Sequence, residues 1–188
     1  MTIKYPQTFY LAAGYKIAEP QPLPDINLES PAIQVLLDFR IHPALTLLPE
    51  TPFDEAQHCL ANSHASVLLV VDRNNHLCGV VTAHCLADQV AMRHISAGRL
   101  RRDIQVRDVM TPRDLINAVD YSEIARSSVH KLVTLLKNEG VPYLLVADSS
   151  NRRIVGVVAA HELAKLLNLQ LDIGQRPSFR EIFEAVMH

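Results

Sequence analysis

The sequence contains no tryptophan, six glycines and three cysteines, and it has no long apolar run. An odd number of cysteines without paired spacing argues against a disulfide framework, and reduced thiols are typical of cytoplasmic proteins. A membrane-spanning helix needs about 20 consecutive apolar residues, and the first residues, Met1–Pro6, lack the charged and apolar regions of a secretory signal. We therefore expect a cytoplasmic protein that does not enter a membrane.

The chain also lacks an excess of charge of either sign. Its 18 lysines and arginines and 20 aspartates and glutamates give a net charge of −2. Proteins that bind nucleic acid show a basic surface, so no nucleic-acid partner is expected. Apolar residues make up 48% and charged residues 20% of the 188 positions, which is typical of a globular chain with one domain or two small ones.

What the sequence does contain is an internal repeat. Leu68–Asp72 and Leu144–Asp148 differ at one position, and seven of nine positions agree between Gly79–Ala87 and Gly156–Ala164. Such self-similarity indicates duplicated structural units. Because a half of about 70 residues buries only a marginal core by itself, we expect the two halves to pack around a pseudo-twofold axis.

Each half has the pattern of a small α/β unit. Short apolar runs bounded by turn residues predict two buried strands that form a hairpin and are followed by a helix. In the first half, Thr82 is expected to cap that helix. Since the apolar runs are continuous, helices should cover one face of each sheet and the sister half the other. The predicted segments are a proline-rich arm (1–30), a first repeat (31–100), a second repeat (101–168) and a C-terminal extension with a short helix (169–188).

The second half is expected to carry an insertion. Asp38 and Asp108 stand in similar contexts at an offset of 70, whereas the later equivalent aspartates differ by 76. About six extra residues are therefore expected between Met110 and Val129. The stretch 117–125 should border a cleft of the second half and either reshape it or fill it.

The repeated segments resemble a known family. An apolar strand ending in Val-Val-Asp, a turn, and then Gly79-Val-Val-Thr82 is similar to the CBS (cystathionine-β-synthase) domain, as are Thr46–Ala56 and Val106–Pro112. The resemblance covers roughly residues 31–168 and implies an α/β fold of two tandem CBS-like repeats, each a small sheet with flanking helices. It also implies a Bateman module, which is usually a homodimer that binds an adenosine derivative between its repeats and has a regulatory role.

The resemblance further implies a set of ligand contacts. In that family a hydroxyl residue at the strand-to-helix junction binds a ligand oxygen, and an acid three residues later binds the ribose hydroxyls. Thr82 matches the hydroxyl but is followed by Cys85 at the acid position, whereas Glu162 matches the acid but is preceded by Ala159. Neither half keeps both groups. The residues matched to base contacts are Ala65, Ser66 and Val67 in the first half and Val141, Pro142 and Tyr143 in the second, and Thr46 is a further polar candidate.

These residues favour a regulatory module that senses AMP, ADP, ATP or an S-adenosylmethionine-like ligand and passes the signal to a separate, unidentified protein. No catalytic activity and no metal are expected. A ligand-free scaffold that acts through dimerisation and protein contacts is the alternative, because Thr82 is also explained as a helix cap. A thiol or metal site around Cys85 and the histidines is a third hypothesis. The linker arginines would either contact a ligand phosphate or stay solvated: Arg99, Arg101, Arg102 and Arg107.

Overall fold

The computed structural model describes residues 26–63 and 65–167, together with Tyr10 and Gly14. Most of the predicted arm and the whole predicted C-terminal extension lie outside the described residues. In chain order the elements are β1 (Leu37–Asp38), β2 (Thr46–Leu47), α1 (Phe53–Asn62), β3 (Val67–Val71), β4 (Leu77–Thr82), α2 (Asp88–Ser96), α3 (Val106–Val109), β5 (Thr111–Pro112), β6 (Ala118–Asp120), α4 (Tyr121–Ala125), α5 (Val129–Glu139), β7 (Tyr143–Asp148), β8 (Arg153–Ala159) and α6 (Ala160–Leu166).

The strands form two four-stranded sheets of the same design. The strand order is β5-β4-β3-β2 in one sheet and β1-β8-β7-β6 in the other. Each sheet has an antiparallel hairpin at its centre, a parallel strand on one side and an antiparallel strand on the other. The predicted α/β fold of two like halves is thereby confirmed.

The two sheets exchange their outermost strands. β1 precedes the first sheet in the chain but pairs with β8 of the second, where Asp38 lies opposite Gly156. β5 follows residue 100 but pairs with β4 of the first, where Pro112 lies opposite Gly79. Each sheet therefore includes one strand from the other predicted repeat: β1, which precedes residue 100, lies in the second sheet, and β5, which follows it, lies in the first.

The close approach of these exchanged strands explains the repeated glycines. A Cβ atom on Gly156 would lie 2.6 Å from the carbonyl oxygen of Leu37, and one on Gly79 would lie 2.6 Å from the carbonyl oxygen of Thr111. Both distances are too short for any side chain, so the strands could not pair in this way at another residue type.

Apolar side chains fill three layers. One cluster joins β7 and β8 to helices α5 and α6 and includes Leu132 and Leu144. A second joins β3 and β4 to α1 and includes Phe53 and Leu68. The third lies between the two sheets, which confirms that each sheet is covered by helices on one face and by the other half on the opposite face. Its buried members are Leu69, Val80, Tyr143, Leu145, Val157 and Ala159.

The insertion in the second half is α4. Strand register makes Leu47 and Val119 equivalent, at an offset of 72, because they pair with Val70 and Val146. Helices α1 and α5 begin at Phe53 and Val129, at an offset of 76. Four extra residues therefore lie between β6 and α5, and the short helix α4 accommodates them.

The expected insertion of about six residues was an overestimate because the wrong residues were matched. Asp38 was paired with Asp108, at an offset of 70. In the structure Asp38 lies opposite Gly156 and Pro112 lies opposite Gly79, so Pro112 is the equivalent of Asp38, at an offset of 74. The second half then has two fewer residues before β6 and four more after it, which is a net insertion of two. The strand pairing that defines this equivalence joins segments distant in the chain.

The prediction that Thr82 caps the following helix is wrong. Residues 83–86 form a turn, and α2 begins only at Asp88. The side-chain amide of Gln57 donates a hydrogen bond to the carbonyl oxygen of Leu86 at 3.1 Å. In a helix that ran on from Thr82, the Leu86 carbonyl would instead accept a hydrogen bond from the backbone N–H of Val90. The bond from Gln57 therefore favours an interruption of the helix before Asp88. In the second half α6 starts directly at Ala160.

Candidate functional site

A cavity of about 510 Å³ lies between the two halves. Its volume falls within the range of small-molecule sites in proteins, roughly 300 to 1,000 Å³. One wall contains Ala65, Ser66 and Val67, which lead into β3 of the first half. The opposite wall contains Ala159 and Glu162, at the junction of β8 with α6 in the second half. Five of the predicted ligand-contacting residues therefore share one cavity.

A hydrogen bond joins Ser66 and Glu162 at the wall of this cavity. The Ser66 hydroxyl donates to Oε1 of Glu162 at 3.0 Å, although the two residues are 96 positions apart in the sequence. Lys165, one turn further along α6, donates to the same oxygen at 3.4 Å. The Glu162 side chain is 38% exposed. Because a carboxylate has about four acceptor positions, it can accept further hydroxyl groups from a ligand.

The remaining lining comes largely from the segment around β1 and the loop that follows. These residues supply an aromatic ring, an imidazole and an amide, namely Phe39, His42 and Gln34. Sequence reasoning missed them because they reach the cavity through the exchange of β1 into the second sheet. The sequence signal that could have revealed this exchange is Gly156, because the absence of a side chain there allows another strand to approach closely.

Thr46 lies beside this cavity without lining it. Its preceding neighbours Ala44 and Leu45 are on the cavity wall, whereas the Thr46 side chain is exposed on β2. The proposed role of Thr46 in ligand binding gains no geometric support.

The other predicted contacts gather on the opposite side of the pseudo-twofold axis, where Tyr143 occupies the position equivalent to Val67. Tyr143 is 8% exposed. Burial raises the pKa of the Tyr143 phenol, and an interaction with the Thr111 side chain partly offsets this effect. Cys85 lies 3.5 Å from the Thr82 hydroxyl and 3.9 Å from that of Thr111. Cys85, Thr82 and Thr111 therefore contact one another on the side of the axis opposite the cavity.

The two residues before Tyr143 are likewise used by the fold. Val141 packs against the helical cluster of the second half. The carbonyl oxygen of Pro142 accepts a hydrogen bond from the backbone N–H of Ala160 at 2.9 Å, which fixes the start of α6. These predicted base contacts therefore have structural roles here.

Two of the linker arginines are held by carboxylates. Arg99 donates to Asp108 at 2.9 Å, and hydrogen bonding from Arg99 lowers the pKa of Asp108. Arg101 binds Asp54 at 2.8 Å and Asp88 at 3.1 Å. Neither arginine lines the cavity, so a role in contacting a ligand phosphate there gains no geometric support.

Residues 37–91 match the family model of the CBS domain. This segment is similar to a CBS domain. The described fold of the chain, with two like sheets and flanking helices, is shared with CBS-domain proteins of known structure. CBS domains are regulatory modules that often bind adenosine ligands.

Solved structures share this CBS-pair fold at low sequence identity. An uncharacterized conserved protein from Pyrococcus horikoshii matches with a TM-score of 0.57 and 15% identity, over 79% of this chain and 100% of that one. CBSX2, solved in complex with AMP, matches with a TM-score of 0.51 and 20% identity, over 72% of this chain and 94% of that one. A CBS-domain protein of unknown function from Thermoplasma acidophilum matches with a TM-score of 0.52 and 19% identity, over 80% and 76%. A comparison with curated proteins finds no match.

The described residues contain neither a candidate metal site nor a candidate membrane span. Within residues 26–63 and 65–167, Tyr10 and Gly14, no group of three or more histidine, cysteine, aspartate or glutamate side chains is placed to hold a metal ion. Among the same residues, no helix is both long and apolar enough to span a membrane.

Replacing Tyr143 with phenylalanine tests the interaction between the Tyr143 hydroxyl and the Thr111 side chain. The variant is expected to lose about 1 kcal/mol of unfolding free energy, the usual net value of one hydrogen bond, as measured by urea denaturation. Thr111→Val supplies the second arm of a double-mutant cycle, in which the two losses should be less than additive. Fully additive losses would contradict the contact between the two hydroxyls.

Proposed function

We propose that this protein is a regulatory module that binds an adenosine-type ligand in the cavity between its two halves. The observation that carries this proposal is the partly exposed carboxylate of Glu162, which is hydrogen-bonded to Ser66 of the other half and lines a cavity of about 510 Å³. The AMP complex of CBSX2, a protein of the same fold, supports the choice of ligand class.

The chemistry of Glu162 and Ser66 suits the vicinal hydroxyls of a ribose. A carboxylate accepts two hydroxyl donors through its two oxygens, and hydrogen bonds to an ionised acceptor are stronger than neutral ones. Ser66 already donates to Glu162, so its hydroxyl can turn and accept from, or donate to, the same sugar. Ribose binding therefore replaces or extends an existing contact between the halves.

The apolar part of the cavity suits a purine ring. Val67, Ala159 and Phe39 are on the walls, and together they offer aliphatic and aromatic surface beside the polar pair. Small-molecule sites typically combine such apolar walls with a few polar groups that fix orientation. The base and the sugar would thus contact different parts of the same cavity.

The signal from this site would pass through contacts between the halves. Walls from both sheets enclose the cavity, so a bound ligand stabilises one arrangement of the two halves over others. The readout belongs to a homodimer partner or to a separate protein effector. Met92 and Ile95 on α2 are 61% and 37% exposed and offer apolar surface for such a contact. Light scattering of the purified chain measures whether it forms a homodimer.

Titration of the purified protein with adenosine, AMP, ATP and S-adenosylmethionine, followed by calorimetry, tests the binding proposal. Glu162→Ala is expected to weaken the tightest of these ligands by about tenfold to a hundredfold, because it removes charge-assisted hydrogen bonds. Glu123→Ala is a matched control, since this carboxylate is exposed on α4 away from the cavity lining. Absence of binding by the unmodified protein, or equal binding by Glu162→Ala, would refute the proposal.

A further inference from the structure

We propose that Arg40 is a positioning residue for the cavity, and that it couples ligand binding there to helix α4. Arg40 contacts both Asp38 and Tyr121, and these contacts fix a loop that forms part of the cavity wall. This inference rests on the proposed function and adds a route of regulation to the same site.

The segment 39–45, which we call the crossing loop, connects β1 in the second sheet to β2 in the first. At its start the backbone N–H of Phe39 donates to the carbonyl oxygen of Val155 at 2.9 Å. At its end the carbonyl oxygen of Leu45 accepts from the backbone N–H of Leu69 at 3.0 Å. Five residues of the crossing loop are on the cavity wall: Phe39, His42, Pro43, Ala44 and Leu45. A change in the conformation of the loop therefore changes the shape of the cavity.

Asp38, at the end of β1, organises the first part of the crossing loop. Its carbonyl oxygen accepts hydrogen bonds from the backbone N–H groups of Ile41 at 3.1 Å and His42 at 2.9 Å. Its carboxylate accepts from the backbone N–H of Arg40 at 2.8 Å. The Asp38 side chain is 15% exposed, so water and salt screen its contacts less than those of a fully exposed ion pair.

The Arg40 side chain binds the same carboxylate at two points. Nε donates to Oδ1 of Asp38 at 2.9 Å, and Nη2 donates to Oδ2. A planar guanidinium that binds both carboxylate oxygens is fixed in orientation, which the ammonium group of a lysine would not be. Hydrogen bonding from Arg40 lowers the pKa of Asp38, so the pair stays ionised at neutral pH.

The same guanidinium connects the crossing loop to α4. Its central carbon lies 4.5 Å from the centre of the Tyr121 ring, which is within the range of a cation–π contact. Tyr121 is the first residue of α4 and packs against the helical cluster of the second half, in which Ile124 is 1% exposed. The carboxylate of Asp120 fixes the start of α4 by accepting from the backbone N–H of Ser122 at 2.9 Å. Arg40 therefore contacts a helix that is anchored in the core.

Helix α4 is the insertion that distinguishes the second half from the first. Because Tyr121 contacts Arg40, a ligand that fixes the crossing loop also stabilises the contact with α4. Coupling of this kind is reciprocal, so a protein that displaces α4 weakens ligand binding by the same factor. Three exposed residues of α4 are accessible to such a protein: Ser122, Glu123 and Ala125.

Replacement of Arg40 tests the positioning role through ligand affinity. The unmodified full chain and Arg40→Gln are titrated calorimetrically with adenosine, AMP, ATP and S-adenosylmethionine. If the binding-competent form of the crossing loop falls to about a fifth of the molecules, each dissociation constant rises about fivefold. The factor should be similar for neutral, anionic and cationic ligands, because Arg40 acts through the loop and not on the ligand. A direct contact of Arg40 with phosphate would weaken AMP and ATP alone.

Conservative variants separate the geometry of the contact from its charge. Arg40→Lys keeps the charge but not the two-point contact, so it should bind ligands as weakly as Arg40→Gln. Tyr121→Phe keeps the ring and should stay within about twofold of the unmodified chain, whereas Tyr121→Leu should lose about fivefold. Arg126→Gln is the matched control, since it removes the same charge at the exposed end of α4 and should leave every affinity unchanged. Circular dichroism establishes that the variants are folded.

A fluorescent reporter tests the coupling to α4 directly. The chain has no tryptophan, so Tyr121→Trp provides a single probe at the contact with Arg40, and tryptophan is the strongest aromatic partner for a cation. A bound ligand should change the tryptophan emission of this variant. The change should disappear when Arg40→Gln is added and persist when Arg126→Gln is added. An emission that does not respond to a bound ligand would overturn the coupling.

Hydrogen exchange in the ligand-free chain gives a readout that does not depend on binding. The amides of Ile41 and His42, which donate to Asp38, should exchange about fivefold faster in Arg40→Gln. Unchanged exchange, unchanged affinity, or a loss confined to AMP and ATP would overturn the inference and leave the proposed function intact. Failure of all four ligands to bind the unmodified chain would instead overturn the proposed function, and the inference with it.

Discussion

Val67→Tyr is expected to abolish binding of adenosine-type ligands, with affinity reduced by at least about a hundredfold. Val67 lines the cavity, and Tyr143 occupies the equivalent position on the other side of the pseudo-twofold axis. There the tyrosine is buried in the cluster between the sheets. The substitution therefore places in the cavity a side chain as large as the one that the other half packs at this position.

Calorimetric titration of Val67→Tyr with the tightest ligand of the unmodified protein measures this loss. Val67→Ile is the matched control, because one added methylene at a cavity wall leaves most of the space and should change the affinity only slightly. Circular dichroism and urea denaturation establish that both variants are folded. Undiminished binding by folded Val67→Tyr would show that the ligand occupies a different site.

Gly156→Ala is expected to lower the free energy of unfolding by about 2–3 kcal/mol, at the upper end of the usual cost of overpacking. The new Cβ would lie 2.6 Å from the carbonyl oxygen of Leu37 and 2.6 Å from Cδ1 of Leu36. The Leu36 side chain can rotate, but the Leu37 oxygen belongs to the backbone of β1, so relief of the contact requires displacement of the exchanged strand.

Urea denaturation of Gly156→Ala tests this expectation, with the denaturant slope checked against that of the unmodified protein. Ser150→Ala, in the exposed turn between β7 and β8, is a control that should change stability by less than about 0.5 kcal/mol. Gly79→Ala should behave like Gly156→Ala, because its Cβ would lie 2.6 Å from the Thr111 carbonyl oxygen. Unchanged stability of the two glycine variants would contradict the tight strand crossing.

The duplicated fold could be predicted from sequence because its signals are local. The apolar runs, the turn residues and the repeated Gly-Val-Val segments each lie within a few consecutive residues, and the hairpins β3–β4 and β7–β8 follow from them. The strand exchange was not predicted because Asp38 and Gly156 are 118 positions apart and no local pattern records their pairing.

The site shows the same division between local and distant information. Ser66 and Glu162 were identified separately, as partial matches in different halves, and each half lacked the complementary group. The structure combines them, since Ser66 of the first half donates to Glu162 of the second. Tyr143 was assigned to a ligand contact, but its burial against Thr111 depends on packing between the sheets, which a linear motif does not encode.

The exchanged strands restrict how the protein can respond to a ligand. The two halves cannot swing apart as rigid bodies without breaking the pairing of β1 with β8 and of β4 with β5. Under the proposed function, a ligand therefore enters through the existing mouth of the cavity, and we expect its effect to spread as a small sliding of packed layers. Cleavage of the chain in the linker would likewise leave two interlocked fragments that each complete the other's sheet.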